Sequence, residues 1–404
     1  MYERRKQKVI KTMSVIRNKK RWLVVVSFVV SAMLLGVFIA YALQREDQKP
    51  STTTKSPGLT NRFGTAPSYG DVYYVSPSGL DTNTGTTKDK PFLSIDKAFS
   101  HAEAGDTIQL ADGNYFQTVA SVKDGSKDKP ISVKGTRAAV VRGTENAGRI
   151  FEIRHSYITR SGFTIDGQHG DGATPESYRD KLLYVIGREA NKGVEGLKVT
   201  GMLLQNAGGE CVRLRYFAIN NEISNSVIKN CGIYDFRFDD GGKNGEGIYI
   251  GTAPEQRADG KNPTANIDVS RNNYIHHNTI ETHGNECVDI KEGSRLNLIE
   301  HNTCEQQKDP DSAGFDARGN DNTFRYNISR NNVGAGVRLG GDSDKDGIGN
   351  HVYGNTLENN AGGAMKIMRL PQGNVCDNKL HNNDDDNNRS KGINPQTKCK
   401  NTID

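Results

Sequence analysis

The chain is 404 residues long, 34% apolar and only 7% aromatic, with 44 glycines. That profile excludes a tightly packed helical bundle and suits many short strands joined by tight turns. Of its +5 net charge, residues 1–21 hold +8 (nine Lys/Arg against Glu3) and the remainder −3, so charge gives no footing for nucleic-acid binding.

The basic stretch leads into "WLVVVSFVVSAMLLGVFIAYAL", residues 22–43, which is uncharged and long enough to cross a bilayer, with Trp22 and Tyr41 near its ends. We expect residues 1–21 to form a cytosolic tail and 22–43 a transmembrane signal-anchor. This puts the remaining chain outside the cytosol, at a cell surface, in a periplasm or in a secretory lumen. "AYA" (Ala40–Ala42) also resembles a cleavage site, which would release the same body. Residues 44–70 are rich in Pro, Ser and Thr and read as a flexible linker.

The folded domain is expected over 71–404, as a monomer. It holds all six cysteines: Cys211, Cys231, Cys287, Cys304, Cys376 and Cys399. An even count beyond an export segment permits disulfides but does not fix their pairing; Cys376 with Cys399, pinning the tail, is the preferred guess. "NIS" at Asn327 and "NRS" at Asn388 are glycosylation sequons. Near the start of the domain, Phe92, Ile95, Ala98, Phe99 and Ala102 fall at helical spacing and predict one amphipathic capping helix.

Beyond it the chain repeats. "NYIHHN", "NLIEHN", "NTFRYN" and "NHVYGN" share one template, and "GNVCDN" fits with Gly for the first Asn. Their closing residues are Asn278, Asn302, Asn327, Asn355 and Asn378. A period of about 25 residues, with short β-branched strands and Asn at turns, is a solenoid signature. The Leu pattern of leucine-rich repeats is absent, and no helical stretch follows each strand. What remains is all-β: a right-handed, single-stranded parallel β-helix of about 9–11 rungs. Asn at a recurring turn can stack its amides into a hydrogen-bonded ladder, which is a structural use.

The second strand of each rung carries the functional signal. The tetrads are "FEIR" (151), "LYVI" (183), "VRLR" (212), "IYIG" (248), "VDIK" (288), "FDAR" (315), "VRLG" (337) and "MKIM" (365). Alternation puts positions one and three inside and positions two and four outside. Rungs lie about 4.8 Å apart, so the outer positions should form one stripe. It contains Arg213, Arg215, Tyr249, Asp289, Lys291, Asp316, Arg318, Arg338 and Lys366, with no Ser or Thr. Such a face can bind an extended acidic polysaccharide, its cations neutralising sugar carboxylates while Tyr184 and Tyr249 offer flat faces to sugar rings. Two excursions around "IYIG" are expected to wall a cleft. In "GGDSDKDGIGN", the alternating Asp342, Asp344 and Asp346 before Gly347 read either as half a calcium loop or as a solvated turn.

The stretch "YYVSPSGLDTNTGTTKDKPFLSIDKAFSHAEAGDTIQLADGNY" resembles the opening of pectin-lyase-like β-helix proteins, including the family 9 pectate lyases. The later layout is similar to the alginate lyase and chondroitinase B family. There, acidic calcium ligands precede a Lys base and an Arg follows on the next rung. The resemblance implies Glu286 and Asp289 as metal ligands, Lys291 as base and Arg318 as its partner. Lys291 sits two residues before the family's position, on the same face. "GAGVRLGG" resembles a pectate lyase stretch with Arg338 in place of a catalytic Lys.

Three readings follow. In a polysaccharide lyase or uronate C5-epimerase, Lys291, its pKa lowered by adjacent cations, takes the C5 proton. Arg318 and Arg338 hold the carboxylate, or Arg318 protonates the leaving oxygen, and Asp289 and Asp316 are candidate holders of Ca²⁺. In a glycoside hydrolase, Asp289 and Asp316, about 5 Å apart, form the carboxylate pair, with Asp239 and Asp240 as further candidates. In the third, a membrane-tethered glycan-binding or cell-surface structural solenoid, there is no catalysis.

Overall fold

The computed structural model describes residues 70–145, 148–240, 244–384 and 389–400. The basic tail, the apolar segment 22–43, nearly all of the linker and the Asn388 sequon lie outside them. Among the described residues no helix is long and apolar enough to cross a membrane.

Three parallel sheets of 11, 9 and 10 strands run the length of the domain, each strand pairing with its equivalents one rung before and after. One rung reads Leu298–Glu300, Thr303–Glu305 and Ala313–Ala317, one strand to each sheet in turn. This is the parallel β-helix that the repeat predicts. The first and third tetrad positions line its interior: Val212, Leu214, Ile248, Ile250, Val288, Ile290, Phe315 and Ala317 are all core residues. Each large apolar side chain so buried contributes about 1.5–3 kcal/mol relative to exposure. The N-terminal helix is a single seven-residue stretch, Ile95–His101, shorter than the spacing suggested; Ser94 caps it and accepts from the Lys97 amide at 3.1 Å. Its buried Ile95, Ala98 and Phe99 join the same core.

The corners explain the asparagines. Asn278, Asn302, Asn327 and Asn355 each donate through Nδ2 to the Oδ1 of the next in line, ending on Asn378, at 2.9–3.1 Å. The template's opening asparagines form a second ladder, Asn221–Asn273–Asn297–Asn322–Asn350. A third joins Asn332, Asn360 and Asn383. Just before Asn278, Asn302 and Asn327 of the first ladder, His277, His301 and Tyr326 take positive φ of 53–54°, which turns the chain from one sheet to the next. The amides satisfy corner carbonyls that no strand reaches, such as Asn302 to Ile275 O at 2.9 Å. Asn327 is therefore buried and fully engaged, so its sequon is closed in the folded domain.

Three disulfides, Cys211–Cys231, Cys287–Cys304 and Cys376–Cys399, use every cysteine, and the third is the expected tail pairing.

Candidate functional site

The nine-stranded sheet puts the second tetrad positions in one register column. Glu152, Tyr184, Arg213, Tyr249, Asp289, Asp316, Arg338 and Lys366 are successive Cα partners. The stripe exists, but only part of it is open.

Its first half is roofed. The segment after the "IYIG" strand folds over the column instead of walling it. The Gln256 side chain accepts from Arg213 Nη2 at 2.6 Å and from the Tyr249 hydroxyl at 3.4 Å. Asn262 and Asp259 accept from Arg215 at 2.6 and 2.7 Å. Arg213 also pairs with Glu210 at 2.6 Å and lies 3.6 Å over the Tyr249 ring, while Lys291 Nζ lies 4.6 Å from that ring's centre. Arg149 covers Tyr184 at 3.7 Å. Arg213, Arg215 and Tyr249 are thus closed to a polymer, against the expectation that they contact one, and neither Tyr offers a free face.

In the second half the acids lie beneath the cations. Asp289 and Asp316 are 0% exposed, whereas the side chains of Lys291, Arg318 and Arg338 are 14%, 19% and 12% exposed. Lys291 Nζ sits 2.6 Å from Asp289, whose oxygens accept no hydrogen bond of normal geometry. Arg338 pairs with Asp316, reaches Glu286 at 3.5 Å and donates to Asp311 O at 2.9 Å. Arg318 pairs with Glu292 at 2.7 Å and with Asp342. Asp289 and Asp316 cannot reach a glycosidic oxygen from beneath this layer, so the hydrolase pair loses its access. Asp239 ends the Ile233–Phe238 helix at positive φ, apart from the column.

The electrostatics invert one expectation. Burial alone would lower the Lys291 ammonium, but Asp289, Tyr249, Glu246 and Glu286 outweigh it and hold its pKa well above the ordinary lysine value. The neighbours that decide its proton are acids, not cations. Burial and the nearby Asp289 push Glu286 up to about 7 against the pull of Arg338. Burial, with Glu210 and Glu286 close by, raises Glu246 well above the carboxylate range. Burial raises Asp316 despite Arg338. For Arg318, burial is outweighed by Asp289, Glu292 and Asp316, which fix its proton firmly and leave it a poor acid.

The acids expected to bind calcium fall into two groups. Asp342, Asp344 and Asp346 do not converge: Asp342 pairs with Arg318, Asp344 lies 3.5 Å from Arg369, and Asp346 accepts from Ser343 at 2.6 Å. Among the described residues, the one trio of carboxylates within 4.8 Å of each other is Glu246, Glu286 and Asp289. Lys291 and Arg338 already occupy the approaches to Asp289 and Glu286. Ca²⁺ at this trio would displace Lys291 from Asp289 and Arg338 from Glu286. Glu246 escaped sequence reading, although Glu210, Glu246 and Glu286 stand at one offset, two residues before three consecutive tetrads.

Among solved structures, an alginate lyase from Paenibacillus sp. str. FPU-7 aligns with a TM-score of 0.55 at 19% identity, over 71% of this chain and 94% of that one. Pectate lyase Pel9A aligns with a TM-score of 0.53 at 16% identity, over 78% of each chain. The fold is that of the pectin-lyase-like parallel β-helix. No family model matches the chain. Two curated proteins share parts of this β-helix sequence. The uncharacterized protein YwoF of Bacillus subtilis is 35% identical over 105 residues, 24% of this chain. A lacto-N-biosidase of Bifidobacterium longum is 26% identical over 245 residues, 50% of this chain. The matches span 22% and 15% of those proteins' own lengths.

Proposed function

We propose that this β-helix acts outside the cytosol on an acidic polysaccharide by removing the C5 proton of a uronate, as a lyase or a C5-epimerase. The observation that carries the reading is the layering of the open half-column: Lys291, Arg318 and Arg338 face a ligand as cations over the buried Asp289, Asp316 and Glu292, with Asp342, beside Arg318, the exposed acid of the set. A polyanion meets complementary charge there, and a neutral glycan does not. The lyases of like fold and the three disulfides are in keeping with a glycan-active protein in an oxidising compartment.

In this mechanism Arg318 and Arg338 hold the sugar carboxylate and stabilise the negative charge that develops when C5 loses its proton. Their own protons are fixed by Glu292, Asp342 and Asp316, so they bind and do not transfer. Of the three, Lys291 is the one whose neutral form can serve as a base; the surrounding acids disfavour that form, and once deprotonated it takes the C5 proton. Breaking the C4–O bond, with water giving a proton to the departing oxygen, then yields an unsaturated product; a proton delivered from water to the opposite face of C5 yields the epimer. No step is routed through a metal.

Lys291→Arg is the discriminating variant. Arginine keeps the Asp289 ion pair but cannot act as a base at working pH. Retained glycan binding with turnover abolished supports the reading. Undiminished turnover removes Lys291 as base, and binding without turnover in the wild type leaves a non-catalytic glycan-binding solenoid.

A further inference from the structure

The last rung holds two cations that the proposed chemistry leaves unused. Lys366 follows Arg338 in the register column, and the backbone of Arg389 pairs with the Lys366 strand, extending the sheet by one more position. Between them lies a cavity of about 230 Å³, lined by Pro310, Asp311, Val333, Gly362, Lys366 and Arg389. Lys366 Nζ and Arg338 Nη1 donate to the same carbonyl, Asp311 O, at 2.8 and 2.9 Å, so the two positive groups are held close together.

Charge compensation thins at this point. Lys291, Arg318 and Arg338 each have a carboxylate in contact. Lys366 donates to a backbone carbonyl instead, and Arg389 is exposed. Burial, and then the neighbouring Arg338 and Arg389, hold the Lys366 ammonium below the ordinary lysine value. Lys366 and Arg389 line, and Arg338 adjoins, one cavity whose lining holds Asp311 as its carboxylate, an excess of positive charge that an arriving anion stabilises.

We propose that Lys366 and Arg389 form an anion subsite that takes the carboxylate of a uronate, on a sugar next to the one held by Arg318 and Arg338. This rests on the reading that the column binds an acidic glycan. It adds a specificity element: substrate charge is read at two points along the solenoid, so a polymer bearing carboxylates on successive or alternate sugars binds better than one with a single charged sugar. Rungs about 4.8 Å apart put the two points within the span of a short oligosaccharide.

The test is calorimetric binding by full-length protein of oligomers of galacturonate, mannuronate and glucuronate-containing chondroitin, and of monomeric glucuronate. Wild type is compared with Lys366→Met and Arg389→Gln. Losing one charge-assisted contact is expected to weaken binding about tenfold and to flatten its salt dependence. The same substitutions should raise KM with kcat nearly unchanged. Oligomer binding of equal strength in wild type and both variants overturns the subsite and leaves the glycan reading intact. Binding of monomeric glucuronate, but no oligomer, by wild type and not by the variants keeps the subsite and overturns the glycan reading. Failure of every acidic ligand to bind overturns both.

Discussion

Asp289 and Asp316 are direct register partners on neighbouring strands, both wholly buried, and each is matched to its own cation: Lys291 for the first, Arg338 for the second. Two carboxylates stacked one rung apart would repel, and the flanking cations make the arrangement tolerable. Removing one partner of a buried pair strands the other charge.

Asp316→Asn should therefore lower unfolding stability by about 3 kcal/mol, because Arg338 loses its nearest carboxylate. Asp344→Asn, at a fully exposed side chain, should fall within about 0.5 kcal/mol of wild type. Urea denaturation of the two variants compares them directly. Equal effects would mean that the buried pair contributes nothing particular.

Activity should climb with pH. A base must be deprotonated, and the Lys291 pKa is held well above the ordinary value. Below it, kcat/KM should rise about tenfold per pH unit, through neutrality and on past pH 10. A plateau reached near pH 7 would point to another base.

Stability should move the other way in the mildly acidic range. Glu286 is raised from an ordinary 4.5 to about 7, so between these values the folded state holds a proton that the unfolded state has released. The stabilisation is present below about pH 4.5 and is lost as pH rises through 7. Glu286→Gln, which stays neutral throughout, should flatten the slope of denaturation midpoint against pH over that window. An unchanged slope would show that Glu286 does not titrate there.

Arg160 offers a stabilising substitution. It lies inside the solenoid at 0% exposure, its guanidinium 4.1 Å from the Phe151 ring centre and without a hydrogen-bond partner on any of its three nitrogens. Burial lowers its pKa to about 9. Arg160→Met removes an unsatisfied buried cation and should gain about 1–3 kcal/mol, read as a higher Tm. A lower Tm would show that its stacking outweighs the desolvation.

Chelation should change little. With Lys291 and Arg338 seated on the Glu246–Glu286–Asp289 trio, EDTA is expected to leave both Tm and turnover unaltered. Turnover that depends on added Ca²⁺ would contradict that arrangement.

The solenoid was legible because its two periods are local. Asn278 to Asn378 mark the corners, and the tetrads mark which side chains face inward, so the register column from Glu152 to Lys366 follows from alternation alone. Exposure was not legible, because it depends on where an irregular segment lands. Nothing in the sequence around Gln256 and Asn262 says that they fold back over Arg213 and Arg215. The sign of the field at Lys291 was misread for a related reason. Asp289, the strongest of the acids, stands two residues away and was visible, whereas Tyr249 and Glu246, on the preceding rung, contribute only through the fold.

The central claim is that a cationic layer over buried acids removes a proton from a bound uronate. The most direct test follows ultraviolet absorbance while full-length protein is incubated with pectate, alginate and chondroitin, alongside the Lys291→Arg variant. The account predicts rising absorbance from an unsaturated product with one of these polymers, faster at alkaline pH and absent in the variant; with an epimerase, C5 inversion would replace the absorbance and depend equally on Lys291. New reducing ends without unsaturation, formed equally well by Lys291→Arg, would contradict it.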